Sequence, residues 1–256
     1  MPSINHRLFD AMVHKARQVD IEYLCLGLGY TAVTTTAGNL GLAYTYFDHK
    51  TACTLVREYH DFEGRPASEL LALIHSENPL ERSMAMAVIN ALSLPDLVQL
   101  PPDRDNAILF DALGIGPSAK VAMVGFFKPL VAVLKSKGAV VEVIDEFRSM
   151  GQKEVFYEKL GRWADAAIVT STSLLNNTFE EIMPHMAKDV RAALVGPSTP
   201  MVAGAFSDWK VIKALAGTVP LDNAPILKSV RHGLGTPYLH KYSKKATLLI
   251  ENHLNL

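Results

Sequence analysis

From Lys120 onward the chain alternates short apolar runs with amphipathic stretches, and this alternation constrains the fold more than any other feature. Lys120-Val-Ala-Met-Val-Gly-Phe-Phe-Lys-Pro-Leu130 sets the pattern. An apolar run ends at Gly125 and two aromatics, and Pro129 then opens a helical stretch. The plan repeats: residues 121–124, 139–144, 166–170, 191–195 and 211–215 read as strands. Helices are expected from Pro129 through Leu134, around 155–163, around 179–186, briefly from Pro200, and over 222–232, while 246–250 fits either state. Short apolar strands separated by helices form a parallel sheet covered on both faces.

The first hundred residues follow another plan. Ile4, Leu8, Met12 and Ala16 recur at four-residue intervals, with Arg7, His14, Lys15 and Arg17 mostly off that stripe, so residues 4–17 form an amphipathic helix. Residues 21–28, 30–36 and 42–47 read as a small antiparallel meander, with Gly27, Gly29, Gly38 and Gly41 suited to its turns. A helix over 66–74 follows. Asn78-Pro79-Leu-Glu81 then caps a second helix that is apolar nearly all round, from Met84 to Leu92, and therefore buried. Asn90 lies inside it; its amide either satisfies a neighbouring loop or points into a cleft. Pro95, Pro101 and Pro102 interrupt the periodicity and mark a linker, placing a domain boundary between 95 and 118. The division adopted is a small α+β domain over 1–100 and a Rossmann-like parallel-sheet α/β domain over 101–256.

Composition narrows the partners. Twenty-five basic against 26 acidic residues leave almost no net charge, which removes the electrostatic case for nucleic acid or an anionic membrane surface. No apolar stretch reaches membrane-spanning length, and Met1-Pro-Ser-Ile-Asn-His-Arg lacks the pattern of a signal peptide. A cytoplasmic location is expected, with a small-molecule ligand as partner and a homo-oligomer left open. Cys25 and Cys53, 28 residues apart, form no CxxC pair and are expected as buried free thiols.

In a Rossmann-like sheet ligands bind beyond the carboxyl ends of the strands, so the loops there are the candidates. They are Gly125-Phe126-Phe127-Lys128-Pro129, then Thr170-Ser171-Thr172-Ser173 with Asn176-Asn177-Thr178, and Gly196-Pro197-Ser198-Thr199-Pro200. Each has a plain structural use. Pro129 starts a helix, Asn177 and Glu180 have capping-box spacing, and Ser198 or Thr199 ahead of Pro200 is a natural N-cap. Together they gather hydroxyls, amides, free N–H groups and aromatics on one edge, which a small-molecule pocket requires. Asp145, 20 residues after Gly125, stands where a ribose-binding acid would. However, pyrophosphate needs bare backbone at the first loop, and one glycine followed by Phe126 and Phe127 denies it, so NAD is not expected. Glu146 beside Asp145 is a candidate general base for a transferase or lyase acting on a small polar metabolite. The nine histidines show no HExxH and no short zinc-type cluster, and GxSxG and P-loop motifs are absent. A pure interaction module, with an exposed apolar patch instead of a pocket, is the remaining class.

The segments 121–130, 143–146 (Val-Ile-Asp-Glu), 164–178 and 195–200 (Val-Gly-Pro-Ser-Thr-Pro), with Gly29-Tyr-Thr-Ala-Val33, Gly41-Leu-Ala43 and Ala87-Val-Ile-Asn-Ala-Leu92, resemble the "Putative heavy-metal chelation" family. Its members pair an enolase-N-terminal-like domain with a Rossmann-like one. The resemblance spans nearly the whole chain. It implies a ligand cleft between the two domains, adds Thr31 and Asn90 to the cleft residues, and implies a metal ion or metal chelate as cargo. Thr170-Ser171-Thr172 departs from the glycine expected of many members, implying a narrower pocket. Enolase chemistry is not carried over, because its acids lie on a barrel that this chain lacks.

Overall fold

The computed structural model describes residues 2–47 and 60–250. Helix α1 (Ile4–Ala16) starts where the Ser3 hydroxyl accepts the His6 N–H, and it buries Ile4, Leu8, Met12 and Ala16, the stripe set by the four-residue spacing. Strands β1 (Ile21–Leu26), β2 (Tyr30–Thr35) and β3 (Leu40–Tyr44) form an antiparallel sheet in that order. Helix α2 (Ala67–Leu71) and a 3₁₀ turn lead into α3 (Pro79–Leu97), which Asn78 caps and which is buried along most of its length. Helix α3 runs through Pro95, contrary to the linker expected there: the missing N–H costs one bond in the last turn, while Leu94 and Leu97 remain in the core. Gly41 also departs from expectation. It lies within β3, where a Cβ would stand 2.0 Å from the Ala87 carbonyl oxygen, so glycine lets strand and helix backbones touch. Gly38, at φ +79°, is the turn residue.

The second sheet contains β4 (Lys120–Val124), β5 (Val140–Ile144), β6 (Ala166–Thr170), β7 (Arg191–Val195), β8 (Ile212–Pro220) and β9 (Ser243–Leu249), in the order β5-β4-β6-β7-β8-β9. All pairs are parallel except β8 with β9. Thus most of 246–250, which fits either state in the sequence, falls in an antiparallel edge strand. Between the strands lie α5 (Lys128–Ser136), α6 (Lys153–Arg162), α7 (Phe179–Ile182), α8 (Asn223–Arg231) and α9 (Thr236–Leu239); α4 (Ala107–Leu113) fills part of the stretch read as linker. The chain moves outward from β4 to β5 and then returns past β4 to β6. Loops following β4 and β6 consequently diverge, which opens a crevice at this switch point. The register aligns Val124 with Ile144 and Val169, and Thr170 with Val195, bringing the three candidate loops to one edge.

One core runs through both halves. Residues of α1 and α3 pack in the same cluster as Ala122, Val169, Leu194 and Leu215 of the parallel sheet. The outer face of the small sheet, through Tyr30, Ala32, Leu40 and Leu42, is covered by Ile226, Val230 and Leu239 from α8 and α9. Helix α1 reaches the other half directly: Ile4 N–H donates to Glu180 Oε1 at 2.8 Å, and Arg7 pairs with Asp208 beside Trp209. No helix among the described residues is long and apolar enough to cross a membrane.

Candidate functional site

The loop after β4 is built from backbone requirements. Gly125 has φ +84°, donates its N–H to Ile144 O at 2.8 Å, and would place a Cβ 2.9 Å from Thr170 Cβ. Only glycine meets both conditions without strain. Phe126 N–H donates to Asp145 Oδ2 at 2.8 Å; Arg148 Nη1 donates to the same oxygen at 2.7 Å, and Arg148 N–H to Oδ1 at 3.0 Å. Asp145 and Met150 exchange backbone bonds, closing the 145–150 excursion on itself. Asp145 is thus buried and occupied, and it fastens two loops together.

The other loops use their hydroxyls in the same way. Thr170 and Thr172 bond each other at 2.9 Å; Ser171 bonds Thr199 at 2.6 Å, and Thr199 donates to Ala216 O at 2.8 Å. Ser198 Oγ accepts the Tyr44 N–H at 2.7 Å, which ties the end of β3 to the loop after β7. Asn176 Oδ1 accepts from Thr178 Oγ1 at 2.8 Å, while its Nδ2 faces Tyr46 Oη at 3.4 Å.

Between these loops and the small sheet is a cavity of about 1370 Å³, above the roughly 300–1,000 Å³ usual for small-molecule pockets. Gly125, Phe126, Phe127, Pro129, Glu146, Thr170, Ser171, Thr172, Asn176, Thr178, Gly196, Pro197 and Ser198 border it. Thr31, Asn90, Asn177, Thr199 and Pro200 do not. Thr31 bonds Thr45 at 3.0 Å inside the small domain, and Asn90 Nδ2 donates to Leu42 O at 2.7 Å, joining α3 to β3. Asn177, at φ +59°, accepts from Asn5 at 3.2 Å and lines a separate hollow beside α1. Thr199 and Pro200 lie buried beneath the loop.

Sequence reasoning missed the opposite wall, made by Tyr30, Tyr44, Tyr46 and Phe47. Tyr30 faces Tyr44 in the β2–β3 register, and successive rings meet edge to face at 6.3 and 6.2 Å. The signal was present as Tyr44-x-Tyr46, since residues two apart share a strand face. On the other rim, Lys153 pairs with Glu181 at 2.5 Å, which holds the Glu181 carboxyl low. Burial first, and the Glu181 charge second, push the Tyr157 hydroxyl up to about 12. Glu146 has no dry surroundings: its side chain is 69 % exposed, with Lys153 at 3.7 Å. Cys25 is half-buried, not fully buried, and burial pushes its thiol up; Cys53 lies outside the described residues.

Two models described as Putative heavy-metal chelation match the sequence, one over residues 108–249 and one over 9–93. The chain belongs to this family. It is 25 % identical over 212 residues to the uncharacterized protein MJ0500 of Methanocaldococcus jannaschii, spanning 78 % of this chain and 81 % of the relative. Two crystal structures of proteins of unknown function from the same family share its fold. PH1506 of Pyrococcus horikoshii has a TM-score of 0.75 at 21 % identity, over 96 % of this chain and all of that one. The protein from Desulfitobacterium hafniense has a TM-score of 0.75 at 19 % identity, over 96 % and 98 %.

The family description can be set against the donor atoms of this chain. Among the described residues no three His, Cys, Asp or Glu side chains converge to hold a metal ion. Of the acids bordering the cavity, Asp103 and Asp145 are bonded to backbone N–H groups and neighbouring side chains, and Glu146 and Glu181 share Lys153, so the described donor set does not fit a bare metal ion.

Proposed function

We propose that this chain binds a small organic molecule in the cavity between the small sheet and the loops of the parallel sheet. The cavity itself carries the reading: it lies at the switch point of the sheet, where doubly wound folds hold ligands, and it has aromatic walls. Phe126, Phe127, Tyr44 and Tyr46 supply flat apolar contact, and Thr170, Thr172 and Asn176 supply hydroxyl and amide groups on the cavity border. Such a lining suits a molecule with both an apolar body and polar substituents. The family's description enters here as cargo: a metal would arrive already held by an organic chelator that brings its own donors. An enzyme reading gains no support from Glu146, whose solvated carboxylate lacks the dry pocket that tunes a general base.

The test is a thermal-shift screen of metabolites, chelators and their metal complexes against wild type and Asn176→Ala/Phe126→Ala. At least one compound is expected to stabilise the wild type and to stabilise the variant less. A wild type that no compound stabilises would remove the proposal. Stoichiometric retention of a metal ion offered as its simple salt would instead favour direct ligation by the chain.

A further inference from the structure

The charges bordering the cavity are unevenly used. Asp103 is buried and accepts from Ile108 N–H, Leu109 N–H and Thr247 Oγ1. Asp145 is held by Arg148 and the Phe126 N–H, and Glu146 and Glu181 share Lys153. The cations at the α4–α5–β9 end are in a different state. Arg104, Lys128, Lys137 and Lys245 all border the cavity, and among the described residues none has an ion-pair partner. Lys137 alone has a ring contact, 5.7 Å from Phe110. Asp105 is the one acid at that end without a bonded partner among the described residues. Arg104, Lys128, Lys137 and Lys245 therefore bring positive charge without a described ion-pair partner to the border of a cavity that tyrosines also line. Charge lining a cleft with low-dielectric walls is focused into it.

We infer that the ligand of this cavity is a planar anion, an aromatic or otherwise flat body bearing a carboxylate, sulfonate or phosphate group. This rests on the proposed function: the tyrosine and phenylalanine walls take the flat body, and Lys128, Lys245 and Arg104 take the acidic group. The body stacks or packs edge-on against rings that already stand at 72° and 90° to one another. The acidic group sits among cations that form no described ion pair. It is also the property that separates this site from a general apolar pocket, since a neutral molecule of the same shape gains only the ring contacts.

The test compares two fluorescent probes of nearly the same shape, 8-anilinonaphthalene-1-sulfonate and its neutral counterpart N-phenyl-1-naphthylamine, titrated into the full chain. The anionic probe is expected to bind roughly tenfold tighter at low salt, with the gap narrowing as salt is raised. Lys128→Gln/Lys245→Gln is expected to abolish that advantage and leave the affinity for the neutral probe unchanged, which also reports that the variant is folded. Equal affinity for both probes in the wild type overturns the inference and leaves the cavity reading intact, as does an anionic preference that survives the double substitution. Failure of both probes to bind overturns both.

Discussion

Asp145 shows how one residue's role depends on what its neighbours leave unpaired. Its spacing from Gly125 suggests a ribose-binding acid, yet its two oxygens hold the Phe126 N–H and Arg148. Asp145→Ala would leave that amide and the guanidinium without their acceptor, at a cost of about 2 kcal/mol, read as a lower urea midpoint. A change below roughly 0.5 kcal/mol would show that the loops are held by other contacts. His240 makes a second residue-scale prediction. Burial first, and the Lys245 charge second, hold its pKa below the ordinary value, whereas the unfolded chain titrates near about 6.5. Between the two values the unfolded state binds more protons, so stability rises with pH there. This contribution is complete above about pH 6.5 and is lost as the pH falls through the folded value. His240→Asn should therefore lose less stability than wild type on going from roughly pH 7.5 to pH 5; parallel urea midpoints would refute it.

At the scale of elements, the contact between α3 and β3 is close enough to require a glycine. Gly41 allows it because any Cβ would stand 2.0 Å from Ala87 O and 2.2 Å from Ala91 N, both backbone atoms on a buried helix. Gly41→Ala must separate strand from helix and is expected to cost more than about 3 kcal/mol by chemical denaturation. Gly38→Ala is the control. Nothing lies within 4 Å of its Cβ, and only the positive φ resists, so roughly 1 kcal/mol is expected. Comparable losses at both positions would show that close packing at Gly41 is not what matters. The all-round apolar character of α3 was readable as burial. Which partner each face meets was not, because a helix apolar on every side carries no preferred direction.

At the scale of the molecule, the two halves share an interior, and the cluster around Leu109, Val121 and Leu134 is the part that lies within the second half alone. The core containing α1 and α3 continues into the parallel sheet, and α8 and α9 cover the outer face of the small sheet. Unfolding should therefore be a single cooperative transition, with calorimetric and van't Hoff enthalpies equal. Residues 1–100 expressed alone should show no such transition, since they lack the helices that bury Tyr30, Ala32 and Leu42. Two resolved transitions, or a fragment that melts cooperatively, would contradict this. The cavity belongs to this scale as well, because each half supplies one wall.

The sequence by itself determined the strand and helix order from Lys120 to His232, the antiparallel meander of the first half, and the three loops that gather at one sheet edge. Period, glycine and proline placement and apolar run length are local properties, and these elements follow from them. Tertiary structure alone decided that Pro95 continues a helix, that Gly41 is a packing residue, and that 243–249 is an edge strand. It also decided which candidate residues reach the cavity. Thr31 and Asn90 turn into the small domain, Asn177 turns to α1, and Tyr30, Tyr44 and Tyr46 take the facing wall. The physical reason is the same in each case: a side chain's role depends on hydrogen-bond partners and surfaces far away in the chain, and no local pattern encodes them.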